Sequence, residues 1–253
     1  MAKTLKLIAP PGYSTVVPLD KQRHAGLRVR SADDYAWCAR LNAVFINAAE
    51  FGKAAPDFPI AFARDPQSGE FMPMAVLGLR EEQNLFVDRE GRWRKPAYVP
   101  AYFRRHPFCI AEVPMPRGEA PQRMVCVQED RLAADAGLPL FDAQGQPTVT
   151  WAPVLALLEA IENARQQTRV LCRRLEALEL LTPFDAVAMP RTGEKLRLRG
   201  LSRVDEEKLQ QISGRDLRTL LKKGELRAVY AHLLSLENFA RLLDYDQERA
   251  APR

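Results

Sequence analysis

The residues from 58 to 127 limit the choice of fold most, because short apolar runs alternate there with turn-forming residues. Glycine-containing turns are expected at 65–69 and 89–91, and prolines interrupt the stretch repeatedly. Strands joined by such short connections favour an antiparallel sheet, since parallel strands need a crossover of about a dozen residues or more. The expected strands are residues 58–63, 71–79, 84–88, 108–113 and 123–127.

A helical pattern dominates the second half of the chain. Apolar residues recur at helical spacing from 154 to 178, with Thr150 as the expected N-cap and Pro153 tolerated in the first turn. These patterns predict the α+β class, a mostly antiparallel sheet packed by a long central helix and C-terminal helices. The other expected elements are strands at 184–189 and 195–204 and helices at 205–212, 217–223, 226–236 and, capped by Ser235, up to Leu243.

An earlier helix is predicted over residues 31–51, where Ser31 is a candidate N-cap, acids follow it and apolar residues recur at helical spacing. Gly52 is expected to end it. A length of 253 residues suits one large domain or two small ones. We interpret the chain as one domain of residues 1–253, with a β-rich portion 1–150, a helix-rich portion 151–245 and a frayed tail 246–253.

Composition predicts a cytoplasmic protein. The N-terminus lacks the apolar core of a signal peptide, and no stretch approaches the roughly 18–20 apolar residues of a membrane span. The four cysteines, isolated from one another, are expected to be small buried apolar residues. A net charge of +5 is weak evidence for a nucleic-acid partner, because such proteins concentrate their charge on one face.

No recognisable cofactor, metal or catalytic motif is present in the sequence. The three histidines lack the His-x-Asp/Glu pattern of a non-haem iron site. There is no glycine-rich dinucleotide or phosphate loop and no nucleophile elbow. The sequence therefore predicts no cofactor and no metal, and it lowers the expectation of an enzyme.

Residues 88–108 have the most unusual composition, because arginines interleave there with aromatic residues. Arginine, tryptophan and tyrosine are enriched in binding hot spots, and paired arginines can hold a carboxylate or phosphate. The alternative is a hairpin whose aromatic side chains face the core while its arginines face solvent. The candidate partner-binding residues are Arg92, Trp93, Tyr98, Tyr102, Arg104, Arg105 and His106.

Several short stretches, taken in order, resemble the SapC family of bacterial proteins over nearly the whole chain. They are Phe-Pro-Ile-Ala-Phe (58–62), Asn-Leu-Phe-Val-Asp (84–88), Gly-Arg-Trp (91–93), Tyr-Val-Pro-Ala-Tyr (98–102), Arg-Arg-His-Pro-Phe (104–108), Val-Asp-Glu-Glu-Lys-Leu (204–209) and the segment 224–235. The resemblance implies an accessory protein of a surface, uptake or peptide-modification system. Its implied partners are a halogenase-like protein, a cupin-like protein or a TonB-dependent receptor, and it implies no catalytic residues.

The leading prediction is a non-catalytic accessory protein that binds a protein or peptide through the region from Trp93 to Arg105. One alternative is an enzyme that uses His106 and a nearby carboxylate as acid and base. The other is a nucleic-acid-binding protein that stacks bases on its aromatic residues, which the small net charge disfavours. His232, on a predicted helix, is interpreted as a structural histidine.

Overall fold

Short antiparallel strands form much of the first half of the chain, as predicted, in a computed structural model that describes residues 7–30, 34–113, 122–189 and 195–250. Within those residues there are eleven strands and seven α-helices. The strands are β1 (Val16–Pro18), β2 (Arg28–Val29), β3 (Ala43–Phe45), β4 (Ile60–Arg64), β5 (Phe71–Val76), β6 (Phe108–Val113), β7 (Gln122–Gln128), β8 (Leu132–Ala133), β9 (Leu138–Pro139), β10 (Leu181–Ala188) and β11 (Leu196–Val204). The helices are α1 (Phe51–Ala54), α2 (Ala101–Arg104), α3 (Ala152–Ala177), α4 (Glu206–Gln211), α5 (Gly214–Lys222), α6 (Glu225–Ser235) and α7 (Asn238–Ala250).

The largest sheet has five strands in the order β10-β11-β4-β5-β3, and each neighbouring pair is antiparallel. Strand β11 joins β4 through Leu201 and Ser202, so the predicted return of the late strands to the sheet is confirmed. Helix α3 packs against β5, and α6 packs against β4 and β11. Two three-stranded sheets, β1-β7-β6 and β8-β2-β9, complete the β part, and the α+β class is confirmed.

The predicted long helix is α3, which spans 26 residues. It buries one face, whose side chains include Leu158, Ile161, Thr168, Leu171 and Leu175. Trp151 occupies its N-cap position, while the hydroxyl of the expected cap Thr150 lies 3.0 Å from that of Thr148. Neither α3 nor any other helix in the described parts of the chain is long and apolar enough to cross a membrane.

The helix predicted over residues 31–51 is wrong. The chain there forms a 3-10 turn at Ala36–Cys38, strand β3, a second 3-10 turn at Ala48–Glu50 and the short helix α1. Val44 pairs with Ala75 at the edge of the five-stranded sheet, so hydrogen bonds to a distant strand prevail over the local helical spacing. Gly52 lies inside α1 rather than after a helix, and residues 31–33 lie outside the described parts.

The C-terminal helix runs further than predicted. Ser235 does not cap it, because this residue ends α6 and its hydroxyl donates to the His232 carbonyl at 2.6 Å. Helix α7 continues past Leu243, so the expected frayed tail from Asp246 is wrong as far as the structure describes it. Residues 251–253 lie outside the described parts.

One set of buried apolar side chains joins the sheet to the helices. It includes Phe58 and Phe62 near and in β4, Leu175 of α3, Val229 of α6 and Leu242 of α7. The sheet and the helices therefore share a core, as expected. A smaller cluster lies beneath the β1-β7-β6 sheet and the start of α3, around Val127 and Trp151.

His232 is a buried structural histidine, as predicted. Its Nε2 accepts the backbone N–H of Val204 at 3.0 Å, and its Nδ1 lies 2.6 Å from the carbonyl of Ile60. The neutral ring therefore carries its proton on Nδ1 and ties α6 to β11 and β4. The cysteines are buried free thiols, namely Cys38, Cys109, Cys126 and Cys172.

Candidate functional site

The seven predicted partner-binding residues lie on the connection from the central sheet to β6. Residues 88–91 form the predicted tight turn, in which Gly91 has a φ of +76°. Strand pairing around this turn is limited to one antiparallel bridge between Val87 and Trp93. The chain then passes through further turns into α2, and the seven residues lie in four different environments.

Arg92 and Trp93 point in opposite directions from this turn. Trp93 is 7% exposed, packs against Phe86 and Phe103, and donates its Nε1–H to the Ala97 carbonyl at 3.2 Å. The exposed Arg92 forms ion pairs with the acids of the same turn. This pair therefore fits the alternative prediction of a hairpin, in which aromatic side chains face the core and arginines face solvent.

Tyr98 and Arg104 surround a buried carboxylate, Glu50. The Tyr98 hydroxyl donates to Glu50 Oε1 at 3.0 Å, and the Ala101 N–H donates to the same oxygen at 2.6 Å. Arg104 Nη2 in turn donates to the Tyr98 hydroxyl at 3.1 Å. Burial and the adjacent Glu50 charge raise the pKa of Tyr98 to about 12. Tyr98 is partly accessible and Arg104 is exposed, so both can reach a partner.

Tyr102 and Arg105 belong to an aromatic cluster that reaches the N-terminal segment. The Arg105 guanidinium lies over the Tyr102 ring at 4.5 Å and near the Tyr13 ring at 5.9 Å. The Tyr102 hydroxyl donates to the Pro11 carbonyl at 2.7 Å. Burial raises the pKa of Tyr13 to about 12. These contacts are internal to the protein, so Tyr102 and Arg105 stabilise the position of the N-terminal segment.

His106 is stacked on Trp37, with ring centroids 4.0 Å apart. Its Nε2 lies 3.3 Å from Gln128 Oε1, and Gln128 donates to Asp130 at 2.8 Å. Burial lowers the pKa of His106 to about 4, so the ring is neutral near pH 7. A carboxylate therefore reaches His106 through an intervening amide, not through the direct contact of an acid–base pair.

A cleft of about 390 Å³ lies between the 88–91 turn and α7, and sequence reasoning found only part of its lining. Arg94 stacks on Tyr245 at 3.9 Å and donates to Glu248 at 3.2 Å. Arg249 donates to the Asn84 carbonyl at 2.8 Å. We call this the arginine cleft; its charged and aromatic lining residues are Asp88, Arg89, Glu90, Arg92, Arg94, Tyr245, Glu248 and Arg249.

The turn side of the arginine cleft is shaped by Asp88. Its carboxylate accepts the backbone N–H groups of Glu90 and Arg92, at 3.0 and 2.8 Å, and the Arg92 Nε at 2.8 Å. The backbone hydrogen bond from Arg92, followed by its guanidinium, holds the pKa of Asp88 below its usual value. Arg92 is thereby fixed at the rim of the cleft.

The α7 side lies outside the predicted binding region, because residues from Asp246 onward are predicted to form a frayed tail. The spacing of Arg241, Tyr245 and Glu248 is the available signal, since residues three and four apart share one face of a helix. That face also carries an ion pair between Arg241 and Asp57 at 3.8 Å, and Asp57 accepts the Tyr98 N–H at 2.8 Å. It therefore connects the arginine cleft to the surroundings of Tyr98.

The residues that the structure describes contain no group of three or more histidine, cysteine or acidic side chains arranged to hold a metal ion.

Comparison with known proteins gives one match. A family model described as SapC matches residues 19–242, which is most of the chain. No curated protein and no solved structure matches. The residues matched include the turn at 88–91, α2 and the first part of α7, and thus most of the region described above. The chain belongs to the SapC family.

Proposed function

We propose that this SapC-family protein is a non-catalytic accessory protein that binds a protein or peptide partner at the arginine cleft. The observation that carries the proposal is the convergence of arginines from two distant segments, 89–94 and α7, around Tyr245 in one open cleft. Arginine and tyrosine combine apolar contact area with fixed hydrogen-bond donors, which is the chemistry of interface hot spots.

The charges of the cleft favour an acidic partner segment. Asp88 and Glu248 orient Arg92 and Arg94, whereas the exposed Arg89 has no carboxylate partner among the described residues. A guanidinium without an internal partner can bind a carboxylate through two parallel hydrogen bonds. We therefore expect the partner to place an aspartate, a glutamate or a C-terminal carboxylate against Arg89.

The predicted partner-binding residues take two roles in this proposal. Three of them contact the partner. Arg92 does so at the cleft, and Tyr98 and Arg104 do so beside the far end of the α7 face that lines it. The other four pack internally and hold the backbone that carries the contact residues; they are Trp93, Tyr102, Arg105 and His106.

The cellular setting of the proposal rests on the family resemblance. It suggests a protein that supports a surface, uptake or peptide-modification system. The partner is then a halogenase-like protein, a cupin-like protein, or the receptor or peptide on which such a system acts.

The test is affinity capture from a lysate of the native cell, comparing wild type with Arg89→Ala/Arg92→Ala. Arg215→Ala/Arg218→Ala is the matched control, because it removes two exposed arginines from α5. A protein retained by wild type and control should then be purified and its affinity measured. We expect the cleft variant to bind it about 30-fold more weakly, the equivalent of about 2 kcal/mol at a hot spot.

Two outcomes would overturn the proposal. Equal affinities of the cleft variant and the control variant would remove the arginine cleft as the binding site. Loss of the captured material after nuclease treatment, together with a steep fall in affinity with added salt, would indicate a nucleic-acid partner instead.

A further inference from the structure

Strand β10 is the terminal strand of the five-stranded sheet. Among the described residues it pairs with β11 alone, along its whole length from Leu181 to Ala188. Val187 is 45% exposed and Met189, just beyond the strand, is 70% exposed. An open edge with apolar side chains is a template on which another strand can pair. This edge is separate from the arginine cleft and does not depend on the proposed function.

The backbone groups that face the open edge follow from the pairing with β11. Asp205 N–H donates to the Leu180 carbonyl at 2.8 Å, and in an antiparallel ladder every second pair exchanges hydrogen bonds. The even-numbered residues of β10 therefore bond to β11, while the odd-numbered residues direct their N–H and C=O groups outward. The register shift beyond Phe184 leaves this alternation intact, because Gly200, with φ of +75°, is the extra residue of a bulge in β11.

Outward-facing groups are therefore supplied by Leu181 at the start of β10 and by Pro183, Asp185 and Val187 further along it. Pro183 has a carbonyl but no N–H, whereas Asp185 and Val187 offer both a donor and an acceptor. Any strand that adds to this edge must place its own donors and acceptors opposite Asp185 and Val187.

We propose that a second copy of this chain pairs with β10, antiparallel, around a two-fold axis at Ala186. The two five-stranded sheets then form one continuous sheet. In this register Asp185 of each copy exchanges two backbone hydrogen bonds with Val187 of the other. The N–H of Met189 donates to the carbonyl of Pro183. Proline has no N–H of its own, so every outward N–H from Asp185 to Met189 has an acceptor in this register.

The side chains select this register among the alternatives. An axis at Asp185 sets two carboxylates directly opposite each other, which is destabilising. An axis at Phe184 places Asp185 opposite Pro183, and the missing N–H loses hydrogen bonds. An axis at Val187 leaves only residues 186–188 of β10 paired within the strand, whereas the axis at Ala186 pairs residues 184–188.

Shape complementarity supports the same axis. Phe184 of one copy lies opposite Ala188 of the other, so a large side chain meets a small one on both sides of the axis. Ala186 meets Ala186, which allows close approach. This face of β10 lines an apolar groove of about 230 Å³ with Leu198 and Phe239. The pairing brings the two grooves together across the axis and covers them.

Cysteine cross-linking tests the register directly. Ala186 faces itself across the axis in a pair without hydrogen bonds, where the Cα atoms lie about 4.5 Å apart. We expect Ala186→Cys to form a covalent dimer with oxidised glutathione, which takes up two electrons and two protons as the S–S bond forms. Ala188→Cys is the matched control, because its two copies lie four residues out of register, about 13 Å apart, beyond the reach of a disulfide.

Val187→Pro provides a second variant. It removes an outward N–H without touching the pairing with β11, as proline is tolerated at an edge position that faces solvent. We expect Ala186→Cys/Val187→Pro to lose the covalent dimer, and wild type to sediment as a dimer at concentrations where Val187→Pro is a monomer. Equal cross-linking of Ala186→Cys and Ala188→Cys would overturn the register. A wild type that stays monomeric at high concentration, with no cross-linking, would overturn the pairing.

Discussion

At the scale of single residues, Trp93 and its neighbour Arg92 show that composition does not predict which side chain is buried. Both belong to the arginine and aromatic stretch, yet one is packed in the core and the other is on the surface. We expect Trp93→Ala to lower the free energy of unfolding by about 3–5 kcal/mol, because it leaves a cavity between Phe86 and Phe103. Arg92→Ala should have a much smaller effect, since exposed ion pairs contribute little. Urea denaturation of both variants measures the difference, and similar losses would contradict the packing described.

His106 makes stability depend on pH. Burial lowers its pKa to about 4 in the folded protein, below the ordinary value of 6.5, so protonation favours the unfolded chain. The contribution of His106 is complete above pH 6.5 and is lost as the pH falls toward 4. His232, whose pKa burial also lowers to about 4, acts in the same direction.

We expect the free energy of unfolding to be lower at pH 5 than at pH 7. In His106→Phe, which keeps an aromatic ring against Trp37 but cannot titrate, the loss between these pH values should be smaller. Urea denaturation at the two pH values measures both. The same loss in wild type and variant would show that His106 does not titrate as described.

At the scale of elements, the last turns of α7 are joined to the body of the protein. Asp246 is 4% exposed; its carboxylate accepts from Arg80 at 3.2 and 3.0 Å and from Gln83 at 2.7 Å. Burial alone raises the pKa of this carboxyl, but the hydrogen bonds from Arg80 and Gln83 outweigh it and lower the pKa.

We expect Asp246→Ala to lower the free energy of unfolding by about 1.5–3 kcal/mol, the range for hydrogen bonds to a charged group. Asp244→Ala, an exposed acid of the same helix, is the control and should change stability by less than about 0.5 kcal/mol. Thermal or urea unfolding measures both. Equal effects would mean that the end of α7 contributes nothing beyond its own helix.

At the scale of the whole molecule, the shared core predicts cooperative unfolding. The apolar cluster contains side chains from the central sheet and from α3, α6 and α7, and a smaller cluster includes Trp151. We expect far-UV circular dichroism and tryptophan fluorescence to report the same urea midpoint, because Trp37 and Trp93 pack with the larger cluster. Two separate midpoints would indicate that the β-rich and helix-rich portions unfold independently.

Sequence patterns by themselves determined the elements whose signals are local. The amphipathic period of α3 and the turn before β5 depend on residues close in the chain, and both were predicted. The composition of residues 88–108 likewise indicated one side of the arginine cleft.

Tertiary structure alone decided the features that depend on distant partners. Val44 became a strand residue because β5 lies beside it, and Asp246 became part of a helix because Arg80 and Gln83 bind it. Trp93 is core rather than surface for the same reason, since arginine and aromatic residues serve both and only the packing of distant segments distinguishes them. Local periodicity carries no information on such contacts, and their free energy exceeds the small differences between local propensities.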